Sequence, residues 1–487
     1  MRLKNPELFR QQCFVAGEWI DAKSGKTFEV YNPATGGSVG HVPVMGRDET
    51  RAAIAAAEAA WPAWRQLTAR RRSRIVRRWY ELIMENQEDL AVIMTVEQGK
   101  PLVESRAEIA NGANFVEWFA EEAKRVYGDT IPMAQAGKRI VVIKQPIGVC
   151  GAITPWNFPS AMITRKAAPA LAVGCPVVVK PASRTPFSAL ALARLAEEAG
   201  MPAGVFNVLT GPAVEIGAEL TGNPVVRKLS FTGSTEVGKK LMRACASTVK
   251  KISLELGGHA PFIVFDDADL DEAVAGAVAS KYRNSGQTCV CANRFLVQEG
   301  IYQTFADKLI RAVSAGLTVG NGFTEGVNQG PLISLDAVQK VERQIEDALS
   351  RGARIGCGGK RIEGNGFFFE PTILLDVTPD ALISREETFG PVAPLFSFAT
   401  EEEAIVMAND TPYGLASYFY SRDVGRIWRV AEELEYGMVS INTGIMSTEA
   451  APFGGVKESG IGREGSKYGI EEYLEIKYLC LGGLDKT

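Results

Sequence analysis

Apolar positions recur along this chain with two different periods, and the change from one to the other divides it. Up to about residue 125 the spacing is helical. The arginine-rich run Arg70 to Arg78 carries apolar positions at Ile75, Trp79, Leu82 and Ile83, which share one face of an amphipathic helix. Asp48 and Thr68 stand where N-caps belong, and Pro101 opens a helix after Gly99. A pattern through Val116, Phe119 and Ala123 then breaks at Tyr127-Gly128-Asp129.

From Arg139 short β-rich runs alternate with helical ones. Ile140–Ile143, Val149–Thr154, Val177–Lys180, Val205–Leu209 and Lys228–Phe231 read as strands. Helices are predicted from Ser160, from Pro186 to Ala199, near Val214–Leu220 and from Ser234. Strand runs separated by helices of roughly 10–15 residues predict crossover connections and a parallel sheet covered on both faces. The alternation resumes at Pro261–Phe265 and runs to about Ile441, enough for a second α/β unit. The tail, Tyr473–Cys480, is a lone β-like run, predicted to pair with Arg139–Ile143 within the chain or across a subunit boundary.

Composition narrows the class. At 487 residues, one core is too small an arrangement, so two or three packed units are expected. Net charge is −4, against the basic bias of a nucleic-acid binder, and the arginine run reads as a solvated or inter-subunit helix face. The uncharged stretch Gln145–Thr164 has the length of a membrane span but holds Pro146, Pro155, Pro159, Gly148 and Gly151, so it reads as strand, loop and helix start. With no apolar run behind Met1, a cytoplasmic protein is expected. The 8 cysteines lack paired spacing and the only histidines are His41 and His259, so no metal site is expected.

Two glycine motifs mislead. Gly460-Ile-Gly462-Arg-Glu-Gly465 spells a dinucleotide fingerprint, but no strand precedes it. Gly233-Ser-Thr-Glu-Val-Gly238-Lys239 follows a strand and nearly spells a nucleoside-triphosphate loop, yet Lys240 stands where a magnesium-binding hydroxyl belongs. A nucleotide hydrolase is therefore disfavoured, although a strand-to-helix turn there still offers backbone N–H groups to a phosphate.

The chemistry centres on Gly286-Gln-Thr-Cys289. A thiolate is soft and adds readily to an aldehyde carbonyl, and a glycine-bearing polar turn suits an exposed nucleophile better than an inert core thiol. Phe231-Thr-Gly-Ser-Thr-Glu236, Leu254-Glu-Leu-Gly-Gly258, Gly286-Gln-Thr-Cys289, Glu386-Glu-Thr-Phe389-Gly-Pro391 and Pro452-Phe-Gly-Gly455 resemble, in order and spacing, the aldehyde dehydrogenase superfamily. The likeness runs from about Phe14 to the C-terminus.

The resemblance implies roles. Cys289 is the expected nucleophile, Asn157 of Pro155-Trp-Asn-Phe-Pro159 shares an oxyanion hole with the Cys289 backbone N–H, and Glu255 activates water against the thioester. Lys166 is expected beside them. The cofactor implied is NADP or NAD, with Trp156, Gly233 and Ser234 near the pyrophosphate, Glu387 and Phe389 at the nicotinamide ribose and ring, and Lys180 at the adenosine ribose. Ser183 stands where NAD-specific members tend to carry Glu; a hydroxyl there does not repel a 2′-phosphate, so NADP is expected to be accepted.

Ala161-Met-Ile-Thr-Arg165-Lys166 and Lys281-Tyr-Arg283-Asn-Ser-Gly-Gln-Thr-Cys289-Val-Cys291 resemble the succinate-semialdehyde dehydrogenase branch. There Arg165, Arg283 and Ser447 would clamp a distal carboxylate, and Cys291 would be a redox partner that bonds the nucleophile. The substrate implied is succinate semialdehyde, with glutarate semialdehyde or a broader range of aldehydes as alternatives. His259 follows Gly257-Gly258 where relatives often have Asn, Lys or Ser.

The expected fold class is α/β: a Rossmann-like parallel-sheet cofactor domain, an α/β catalytic domain, and a small bridging β-sheet for oligomerisation. The boundaries expected are 1–125 and 147–257, then 258–457, then 126–146 with 458–487. A homo-oligomer, dimer or tetramer, is implied.

Overall fold

The computed structural model describes residues 1–484. Its first sheet has eight strands in the order Gly460–Ile461, Lys251–Glu255, Val226–Thr232, Val149–Ile153, Val177–Lys180, Phe206–Val208, Cys13–Val15, Glu18–Ile20. The five from Lys251–Glu255 to Phe206–Val208 run parallel; the edges on both sides are antiparallel. Val177–Lys180 is buried throughout, as its unbroken Val-Val-Val run requires for a strand covered on two faces. The wholly buried helix Ala161–Val173 and the largely buried helix Phe187–Glu198 provide much of that cover.

The N-terminal segment is more than helices. Cys13–Val15 and Glu18–Ile20 extend the sheet, and Thr27–Tyr31 pairs with Ser38–Pro43 as a separate ribbon. Asp48 is not an N-cap. Gly46 takes that place, and the Glu49 side chain reaches back to accept its N–H at 3.0 Å, leaving Asp48 in the first turn. Thr68 caps the next helix as expected, accepting from Arg71 N. Arg72 leaves the solvated face: its Nε donates to Ala172 O at 2.9 Å, at the end of the helix Ala161–Val173.

A second sheet orders Arg354–Cys357, Thr372–Leu375, Val392–Phe398, Ala292–Gln298, Ala260–Val264, Ala416–Tyr420 and Met438–Ile441. Six of its strands run parallel, and Arg354–Cys357 is antiparallel at one edge. The third sheet joins Leu474–Leu481 to Arg139–Pro146 and Asp129–Ile131. Leu474 faces Pro146 and Leu481 faces Arg139, so the tail finds its partner within the chain. Residues 458–473 stay outside this sheet: Gly460–Ile461 edges the first sheet, and the helix Ser466–Glu471 packs on the helices Leu102–Glu122 and Ala161–Val173.

Candidate active site

The parallel strands of the first sheet end together, and the loops leaving those ends face one crevice. Trp156 and Asn157 come after Val149–Ile153, Gly233 and Ser234 after Val226–Thr232, and Gly257 after Lys251–Glu255. Ligands of open α/β sheets bind at this carboxyl edge. A cavity of about 410 Å³ lies there, lined by Trp156, Asn157, Arg184, Gly233, Ser234, Glu387, Phe389 and Cys289 among others. Ser234 caps the helix Thr235–Ala246, its side chain accepting from Val237 N, so the helix N-terminus opens on the cavity.

The second sheet supplies the opposite wall. Glu387 Oε1 accepts the Gly258 N–H at 3.0 Å, and burial raises this carboxyl to about 7. The Phe389 ring stands edge-on to Trp156 at 5.5 Å. Thr232 and Thr388, which also line the cavity, each bury a hydroxyl without a protein partner. A helix N-terminus, a carboxylate and orphaned hydroxyls lining one cavity fit a nicotinamide dinucleotide. Lys180 ends its strand buried, which pulls its ammonium down to about 8; Ser183 is exposed in the turn beyond. Neither lines the cavity, but their neighbour Arg184, which no sequence motif marks, does.

Cys289 also lines a second cavity, of about 240 Å³, together with Arg165, Arg283, Ser447, Asn111, Phe158 and Phe453. The thiol therefore sits where the two cavities meet. Arg165 is 4% exposed and lies between the Phe115 and Phe453 rings, 4.5 and 4.7 Å from their centroids. Its Nη2 donates to Ser447 Oγ at 2.8 Å and to Asn111 Oδ1 at 3.4 Å. Its Nε and Nη1 are buried with no partner. Burial lowers this guanidinium, with the Glu464, Cys289 and Glu255 charges opposing the fall. Arg283 borders the same space, its guanidinium 5.7 Å from the Phe158 ring.

The turn that presents Cys289 is strained. Asn284 and Ser285 are both left-handed, at φ 51° and 57°, a cost of roughly 1–2 kcal/mol each. Glu104 holds the first by accepting Asn284 N at 3.0 and 3.1 Å, and Ser285 Oγ donates to Gly330 O at 2.7 Å. Gly286 must be glycine: a Cβ there would lie 2.2 Å from Gly390 O. Asn157 Nδ2 donates to Gln287 O at 3.0 Å, which brings the amide against the nucleophile turn. Burial pushes the Cys289 thiol up to about 12, with the Glu387 and Glu255 carboxylates adding to the rise and Arg165 opposing it. That rise favours the neutral thiol.

Glu255 ends its strand 3% exposed, with both carboxylate oxygens unpartnered. Burial first, then the Glu464 carboxylate, hold it well above the usual range; Lys166 opposes them. Lys166 forms a buried ion pair with Glu464. Glu464 is a site residue missed in sequence, hidden inside the glycine motif 460–465. Cys291 is fully buried and does not hydrogen-bond the nucleophile; its Sγ donates to Lys281 O at 3.3 Å, and both thiols are free. His259 Nε2 meets Ser384 O at 2.8 Å, tying the Gly257-Gly258 turn to the loop that carries Glu387. Among the described residues no cluster of metal ligands occurs.

A parallel sheet whose carboxyl edge opens on a cavity lined by a helix N-terminus, a carboxylate and a thiol fits the class of nucleotide-dependent oxidoreductases. The chain belongs to the aldehyde dehydrogenase family, whose model matches residues 19–479, and is an NAD(P)-using oxidoreductase of that family. It is 66% identical over 484 residues to a glutarate-semialdehyde dehydrogenase of Pseudomonas aeruginosa, covering 99% of this chain and 100% of that protein. It is 65% identical over 482 residues to a succinate-semialdehyde dehydrogenase [NADP(+)] of Escherichia coli, again covering 99% and 100%. Among solved structures, an E. coli NADP dependent enzyme superimposes with a TM-score of 0.98 at 65% identity, covering 99% of this chain and 100% of that one.

Proposed function

We propose that this enzyme oxidises a short aldehyde bearing a distal carboxylate: succinate semialdehyde, with glutarate semialdehyde as the alternative. One observation carries this reading. Arg165 keeps two buried, unpartnered nitrogens in the cavity that holds Cys289, next to Ser447 and Arg283. Guanidinium forks match carboxylates, and a buried one left unpaired is costly.

In the mechanism proposed, the carboxylate docks on Arg165, Arg283 and Ser447, and the aldehyde end reaches Cys289. Glu255, through water, takes the thiol proton as the sulfur–carbon bond forms. Asn157 Nδ2 and the Cys289 N–H hold the resulting oxyanion. NAD(P)+, when bound along Trp156, Gly233, Ser234, Glu387 and Phe389, supplies the hydride acceptor that turns hemithioacetal into thioester. The thiol proton leaves Glu255 for bulk solvent through water before deacylation; Glu255 then removes a proton from water, whose oxygen attacks the thioester, and returns it to the departing thiolate, releasing the acid and the free thiol. Lys180 and Ser183 with Arg184 bind the adenosine end, and Arg184 favours a 2′-phosphate.

We also propose a cytoplasmic homo-oligomer, dimer or tetramer, built through the third sheet. Ile476, Tyr478 and Leu481, on Leu474–Leu481, are 73%, 59% and 44% exposed, more apolar surface than one strand usually leaves to solvent. Among the described residues no helix is long and apolar enough to cross a membrane. Steady-state kinetics over semialdehydes of three to six carbons, with NADP and with NAD, test the substrate reading. A maximum at four or five carbons supports it; a rate that rises steadily with apolar chain length overturns it.

A further inference from the structure

We infer that the buried Lys100–Glu108 ion pair is the positioning device for Asn157, an inference resting on the oxyanion role proposed for Asn157. Lys100 lies between the helices Gln87–Gln98 and Leu102–Glu122, and Glu108 lies within the second. Both belong to the N-terminal helical segment rather than to either catalytic loop. Their side chains are 1% and 2% exposed, and Lys100 Nζ meets Glu108 Oε2 at 2.6 Å. The same ammonium donates to the Asn157 carbonyl at 2.7 Å and lies 4.2 Å from the Phe158 ring centroid. Asn284 Nδ2 donates to that carbonyl as well, at 3.0 Å.

The second oxygen of Glu108 accepts Ser160 N at 3.0 Å and Ala161 N at 3.2 Å. Those are amides at the start of the helix that carries Arg165 and Lys166. One ion pair therefore grips the segment 157–161 at both ends. Glu104, one turn before Glu108, continues the frame by holding Asn284 N, and Gln98, the last residue of the preceding helix, donates through Nε2 to Asn284 Oδ1 at 3.1 Å. Both oxyanion donors, the Asn157 amide and the Cys289 N–H, are thus set against one fixed support.

Stability alone does not account for this pair. Desolvation offsets most of the attraction in a buried ion pair, and apolar residues of like volume hold a core as well or better. What apolar residues lack is a donor for Asn157 O and an acceptor for Ser160 N and Ala161 N. The pair is retained for geometry, and a donor displaced by even about 1 Å weakens oxyanion binding.

Four proteins, made as the full chain, test the inference: wild type, Lys100→Met, Lys100→Met/Glu108→Leu and Asn157→Ala. The single Lys100 variant strands a buried carboxylate and is expected to melt at lower temperature, whereas the double variant recovers most of that loss. Both are expected to lower kcat roughly ten- to a hundredfold while KM for NADP stays within about threefold. Alkylation of Cys289 by iodoacetamide, followed on its peptide by mass spectrometry, forms no oxyanion and is expected to stay within about threefold in the double variant. Wild-type kcat in the double variant overturns the inference, and so does a parallel fall of kcat and alkylation, the mark of a generally disordered site. Asn157→Ala separates the two readings. If it keeps kcat, the oxyanion assignment itself fails; if it loses kcat and the Lys100 variants do not, the positioning role alone fails.

Discussion

Lys166 and Glu464, 298 positions apart in the chain, form a buried ion pair whose carboxylate is the charged group that most raises the neighbouring Glu255. A base that is raised works only when deprotonated, so thioester hydrolysis must fail as pH falls through the raised value. Removing Glu464's negative charge lowers that value, and removing Lys166's positive charge lifts it further. Glu464→Gln is expected to move the acid limb of the deacylation rate to lower pH, and Lys166→Met to move it to higher pH. Rapid-quench measurement of thioester decay between about pH 5 and 9 reads both. Limbs unmoved in both variants would mean that Glu255 does not titrate in this step.

The division of labour between Cys289 and Glu255 gives a second prediction. Cys289→Ala is expected to abolish turnover and leave cofactor binding near wild type, because the thiol only edges the dinucleotide cavity. Glu255→Gln is expected to release one equivalent of reduced cofactor at a slower but measurable rate and then stall at the thioester. Stopped-flow absorbance checks this. Complete absence of the first equivalent would assign Glu255 chiefly to thiol deprotonation.

How legible this arrangement was depends on the distance over which it is built. Local signals placed Val177–Lys180, the cap Ser234 and the turn 286–289, and the pairing of the tail with Arg139–Pro146 followed from two orphan β-like runs. The three-residue strands Cys13–Val15 and Glu18–Ile20 have too few positions to show a period, and their meaning comes from the first pairing with Phe206–Val208 and the second with the first. Glu464, Asn111 and Arg184 escaped because each acts on a partner remote in sequence or on a cavity that no local pattern reveals. A Glu between glycines reads as a solvated turn until Lys166 is found against it.

The proposed reading puts cofactor choice at the turn after Val177–Lys180, where Ser183 and Arg184 are exposed and neither is a carboxylate that would repel a phosphate. Ser183→Glu is expected to weaken NADP binding by about 1–3 kcal/mol through repulsion and lost hydrogen bonding, with NAD little changed. Arg184→Ala is expected to weaken NADP by about 1–2 kcal/mol, also sparing NAD. Titration calorimetry with both cofactors measures each. Equal losses for NADP and NAD would show that this turn does not face the 2′-position.

The carboxylate anchor is the most exposed prediction, because the catalytic steps need no charge at the far end of the substrate. Arg165 Nε and Nη1 are buried without partners, while Nη2 is already held by Ser447 and Asn111. A substrate carboxylate that satisfies those two nitrogens gains charge-assisted hydrogen bonds of about 1.5–3 kcal/mol each, part of which offsets its own desolvation. A net gain of about 3 kcal/mol corresponds to roughly a hundredfold in specificity constant. Succinate semialdehyde is therefore expected to exceed butanal, which has the same carbon chain without the charge, by at least that factor in kcat/KM. Arg283→Ala, at the more open wall, is expected to remove most of that ratio by harming the semialdehyde while butanal changes little. Ser447→Ala frees Nη2 and is expected to cost the semialdehyde roughly tenfold, since the guanidinium keeps its charge but loses its orientation. Equal treatment of the two aldehydes by the wild-type enzyme would remove the anchor, and Arg165 would then be a buried cation held only by Phe115, Phe453, Ser447 and Asn111.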